Sequence, residues 1–172
     1  NPAPGEVRRE VGRLGSGMNA RLGAIVLSGG RASRLGGVDK GALVVGDSAL
    51  LDGVLDAVLG VVGYARRVVV VGQGPAVARV GLRIGREDPA FGGPLAALGA
   101  GLAMLDGDGD GDGDGDGETL VLACDLPRAA ELVPLLTGAA TPDASDGVVV
   151  LDGEGRHQWL AARYRTAALR EV

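Results

Sequence analysis

Two kinds of residue in this chain are spaced for chemistry on a phosphate: glycines that bare the backbone, and cations interleaved among them. Both concentrate in LSGGRASRLGGVDKG, residues 27–41. Gly29, Gly30, Gly36 and Gly37 leave main-chain amides without side chains, free to face an anion. Arg31, Arg34 and Lys40 add positive charge to the same loop. A hairpin or a helix cap needs one or two glycines and no such mixture, so the ligand expected here is a nucleoside triphosphate. The established phosphate loops do not account for it. A Walker loop requires a Gly-Lys-Ser/Thr triplet, whereas Lys40 lies between Asp39 and Gly41. A dinucleotide fingerprint requires G-x-G-x-x-G, and after Gly72 and Gly74 its last position is Val77.

Carboxylates follow at two later points. Asp125 closes the apolar run 119–123. A hard cation such as magnesium prefers carboxylate oxygen and needs few protein ligands when phosphates supply others, which makes Asp125 the expected metal ligand. The alternative is a cap on the next helix, beside Pro127. Asp88 stands before Pro89, where a turn-forming Asp-Pro pair is a sufficient reason for it. Lys40 is the only lysine in a chain that otherwise relies on arginine, which argues against a merely solvated side chain. Cys124 reads as a small core residue and His157 as an exposed polar one, and neither is assigned a part in the chemistry. Asp106 to Gly117 is six Asp-Gly pairs. A calcium loop would place a glutamate at its twelfth position, but the aspartates are even-numbered and so is Glu118, so the repeat reads as a flexible linker.

The glycine loop resembles the signature L-x-G-G-x-x-x-R-x-G-x-D-K of nucleotidyltransferases, and the run 36–41 is most similar to molybdenum cofactor guanylyltransferases. Glu87-Asp88 with Gly92-Gly93-Pro94-Leu95, and Leu122-Ala123-Cys124-Asp125-Leu126-Pro127, extend the likeness in the same order. With the region 152–164 it spans about residues 23–170. The resemblance implies a glycosyltransferase-A-like fold and transfer of GMP from GTP to the phosphate of molybdopterin, with magnesium. It implies that Lys40 and Arg34 neutralise the triphosphate, that Leu27, Ser28, Gly29 and Gly30 border the nucleotide, and that Asp88 contacts it. It implies that Asp125 carries the metal, that the segment 157–159 lies on the acceptor side, and that the chain makes transient contact with other proteins of molybdenum cofactor biosynthesis. Two alternatives stay open. One is a transferase using CTP or a different small phosphorylated acceptor. The other is a nucleotide-binding protein or fragment without turnover, because the family's asparagine motif near the C-terminus has no counterpart before Val172.

The elements that must position these residues are legible from apolar runs. Residues 24–28, 67–71, 82–85 and 119–123 are short and continuous in apolar residues, as buried parallel strands are. Between them, helical periodicity follows Ser48, a plausible N-cap, and a second helix follows Pro94 at its first turn. A short helix is expected over 128–136 and a strand pair over 147–151 and 160–164. The expected fold is therefore α/β, a three-layer Rossmann-like nucleotidyltransferase fold whose mostly parallel sheet has helices on both faces. Hydrophobic residues make up 46% of 172 and aromatics 2%, so the core must be Val, Leu and Ala. The net charge of -5 resides largely in the Asp-Gly repeat, and no cluster of cations with stacking aromatics marks a nucleic-acid surface. A single cysteine suits a reducing cytoplasm, and no apolar run has the length of a membrane span. Residues 1–22 are expected to be a disordered tail and 23–172 the transferase domain. With Asn1 first and Val172 falling within a helical pattern, the sequence is expected to be a fragment, with Met18 a candidate start.

Overall fold

The computed structural model describes residues 22–28, 44–45, 48–72, 81–90, 92–107 and 117–171. In chain order the strands are β1 (Leu22–Ser28), β2 (Val44–Val45), β3 (Ser48–Ala49), β4 (Val68–Gly72), β5 (Arg83–Gly85), β6 (Glu118–Ala123), β7 (Gly147–Leu151) and β8 (His157–Arg165). The helices are α1 (Leu50–Val62), α2 (Pro94–Asp106), α3 (Ala129–Gly138) and α4 (Thr166–Arg170). Six strands form one sheet in the order β5-β4-β1-β6-β8-β7. The first four are mutually parallel, and β8 and β7 are added antiparallel at one edge.

Strand alternation sorts the core into two layers. Ala24, Val26, Val68, Val70, Leu120 and Leu122 pack with Leu51, Val54, Leu55 and Val58 of α1 and with Val133 and Leu136 of α3. Ile25, Leu27, Val69, Val71 and Val121 point the other way, onto Leu98 and Leu102 of α2 and Leu169 of α4. Helices therefore cover both faces, which is why the central strands read as unbroken apolar runs. The backbone of α2 comes close to the sheet at Gly101, where a Cβ would lie 2.7 Å from Cγ2 of Ile25.

The local expectations need three adjustments. Ser48 is not the cap of α1: it pairs in β3 against Val45, the cap position is Ala49, and no side chain bonds the helix start. The first strand begins at Leu22, two residues before the expected start, because Leu22 and Gly23 pair with Glu118 and Thr119. In α2 the apolar series includes Leu95, which is 67% exposed, so the packing stripe runs through Ala97, Leu98, Gly101 and Leu102 instead. Pro94 does occupy the first turn of α2, and Gly93 before it takes φ +92°, a conformation suited to glycine.

Candidate functional site

The parallel register aligns four strand ends on one edge of the sheet. Ser28 lies opposite Gly72, Leu27 opposite Ala123, and Val71 opposite Gly85. The chain runs from β1 through β4 to β5 on one side, then crosses by α2 to β6 on the other. The strand order thus reverses between β1 and β6. In open α/β sheets the crevice at such a reversal, beyond the carboxyl ends, is where ligands bind.

Two observations define that crevice. The amide of Cys124 donates to the carbonyl of Leu27 at 3.0 Å, which seats the Cys124–Asp125 turn directly against the end of β1. Ser28, the last residue of β1, is 6% exposed, and its Oγ is buried without a hydrogen-bond partner among the described residues. An unmet buried hydroxyl costs roughly 1–3 kcal/mol, which makes Ser28 a candidate donor at the head of the glycine loop. Gly29, Gly30, Arg34 and Lys40 lie outside the described residues. Leu27 is placed with its side chain in the core on the α2 face and its carbonyl engaged by Cys124.

Asp125 is half-buried at the edge, where β6 turns toward α3. Helix α3 begins at Ala129, its cap position is Arg128, and no side chain bonds that helix start. Among the described residues no three of His, Cys, Asp and Glu converge to form a metal cage. Asp125 offers one carboxylate, a donor that suits a hard cation whose shell phosphate oxygens would complete. Cys124 packs into the α1 and α3 layer, as a core residue.

Asp88 follows β5, is exposed, and precedes a cis peptide to Pro89, so the turn that the Asp-Pro pair predicts is present. The same edge carries its carboxylate. Three strand spacings separate β5 from β6, which is about 14 Å at roughly 4.8 Å each. That distance suits the two ends of one extended nucleotide. On the far side of β6, the antiparallel pairing of Leu122 with Ala161 brings the beginning of β8, with His157 and Trp159, to the same edge. The turn preceding it is organised by Asp152, whose carboxylate accepts from the amides of Glu154 and Arg156 at 2.9 Å each. The Arg156 amide and then its guanidinium hold that carboxyl below the usual carboxylate range.

Residue-by-residue reading missed Ser28 as an orphaned donor and Trp159 as an exposed one. Ser28 stands in the L-x-G-G signature, which marked its place but not the burial of its hydroxyl. For Trp159 the signal was there, a single tryptophan in an aromatic-poor chain.

The model of the MobA-like NTP transferase domain matches residues 24–172. Among solved structures the chain is similar to molybdopterin-guanine dinucleotide biosynthesis protein A from Archaeoglobus fulgidus, at 21% identity, 86% coverage of this chain, 69% of that one and a TM-score of 0.52. No curated protein matches the sequence.

Proposed function

The chain belongs to the MobA-like NTP transferase family, and from that premise we propose that it transfers GMP from GTP to the terminal phosphate of molybdopterin, releasing pyrophosphate. The observation that carries the reading is the hydrogen bond from the Cys124 amide to the Leu27 carbonyl, which holds Asp125 beside the start of the glycine loop.

A phosphate oxygen of the acceptor attacks the α-phosphorus of GTP. The bond from that phosphorus to the bridging oxygen breaks, and pyrophosphate departs with the electron pair. The acceptor is already an anion, so no strong general base is required, in keeping with a site that offers no Ser-His-Asp or Cys-His arrangement. What the protein must supply is alignment and neutralisation of charge. Lys40 and Arg34 neutralise the triphosphate, and the amides at Gly29 and Gly30 receive its oxygens. The Ser28 hydroxyl donates to the nucleotide, and Asp88 contacts its far end. Asp125 would hold magnesium, which when bound would supply Lewis-acid neutralisation of charge on the phosphates.

The test has two arms. GTP with magnesium should raise the melting temperature more than CTP or ATP does, and equal shifts would remove the guanine assignment. Asp125→Ala should abolish pyrophosphate release at an unchanged melting temperature, and retained turnover would make its metal role wrong.

A further inference from the structure

We infer that the stacked rings of His157 and Trp159 form the platform on which the planar heterocycle of the acceptor lies, an inference that rests on the nucleotidyl-transfer reading above. The two rings are 5.0 Å apart between centroids and 11° from parallel. The chain has one Trp, two Tyr and one Phe, yet it leaves its only indole 62% exposed. A solitary exposed apolar residue is ordinary, and three further features separate this one.

The first is the backbone beneath it. Val149 pairs with Ala162, but the next residue, Val150, pairs with Gln158, so β8 carries extra residues through 159–161. Bulges of this kind re-aim side chains and recur beside active sites. The second is rigidity. The Tyr164 hydroxyl donates to the carbonyl of Trp159 at 3.0 Å, and the Gln158 side-chain amide donates to Asp152 at 2.9 Å. The platform is therefore held in place before any ligand arrives. The third is position. The pairing of β6 with β8 ends at Leu122 with Ala161, so the start of β8, with Trp159, lies at the edge where β6 leads into Cys124 and Asp125.

Asp125 and the stacked pair thus share one edge of the sheet, Asp125 following β6, the strand between β1 and β8. The Arg156 guanidinium beside the pair is engaged by Asp152 and Glu154, so the pair offers a flat aromatic face rather than a charge. Such a face selects a fused heterocycle by offset stacking. A protein partner would need a wide apolar patch, whereas beside Leu151, 55% exposed and paired with His157, the turn carries the charged residues Asp152, Glu154 and Arg156.

Trp159 is the only tryptophan, so its fluorescence reports occupancy without turnover. Titrating the full chain with a 6-substituted pterin monophosphate should quench it saturably. Trp159→Ala should raise the acceptor KM on the order of tenfold and leave the GTP KM within about twofold, with Trp159→Phe recovering most of the loss. Absence of quenching in the unaltered protein, or an unchanged acceptor KM in Trp159→Ala, overturns the platform while leaving nucleotidyl transfer intact. Saturable quenching in a chain that transfers no nucleotide supports the platform and instead overturns the reaction. A Trp159→Ala chain that changes oligomeric state with both pterin readouts unmoved assigns the pair to a protein contact and overturns the inference.

Discussion

Arg163 is the charged side chain that the fold encloses most completely among the described residues, at 4% exposure. It donates to the carbonyl of Thr137 at 3.0 Å and to Oγ1 of Thr141 at 2.8 Å, and it faces Glu118 at 3.3 Å. Those acceptors lie at and just past the C-terminus of α3, where unpaired carbonyls and the negative end of the helix dipole favour a cation. Removing one partner of a buried pair costs about 3–5 kcal/mol, and because Glu118 is partly wetted the low end applies. Arg163→Met is expected to lose about 3 kcal/mol in urea unfolding with the nucleotide KM unchanged. A loss under about 1 kcal/mol would show that the network does not anchor α3. Nothing in the sequence points to Arg163, because its hydrogen-bond acceptors Thr137 and Thr141 lie 26 and 22 residues away and Glu118 lies further still. Asp125 stands out in the sequence for the opposite reason: its proposed role rests on its place at the end of an apolar run, a local fact.

Helix α2 allows a comparison of two glycines within one element. A Cβ on Gly99 would meet nothing within 4 Å, whereas one on Gly101 would meet Cγ2 of Ile25 at 2.7 Å. Alanine gains roughly 0.8–1 kcal/mol over glycine in a helix interior, and overpacking a tight core costs about 1–3 kcal/mol. The two substitutions should therefore differ in sign. Gly99→Ala is expected to stabilise by up to about 1 kcal/mol, and Gly101→Ala to destabilise by about 1 kcal/mol, read from thermal unfolding of each single variant. Equal effects would mean that α2 does not approach β1 as closely as the structure has it. At this scale the sequence located every main element from apolar runs and periodicity. It misplaced Ser48 because a two-residue hairpin competes for that residue, and pairing of this kind is invisible to a capping rule.

For the molecule as a whole, the consequence of an edge shared by β1 and β6 is coupling between ligand and fold. A ligand that binds only the native edge stabilises it by about 2.7 kcal/mol at a hundredfold excess over its Kd. For a chain of this length that shifts Tm by about 5–10 °C. GTP with magnesium is expected to produce such a shift and EDTA to reverse most of it, as followed by differential scanning fluorimetry. A shift that EDTA leaves untouched would separate the nucleotide from the metal.

The sequence by itself determined the class of the fold, and the anion chemistry proposed for the first loop rests on the sequence alone. Continuous apolar strands demand helices on both faces, and glycines mixed with cations demand an anion. Only the tertiary structure decided which strand ends meet. The crossing of α2 from β5 to β6 sets Asp125, and not Asp88, next to β1, and it brings Trp159 to the same edge through an antiparallel register. Strand order depends on contacts between residues about a hundred positions apart, and no local pattern of residue types encodes such a distance.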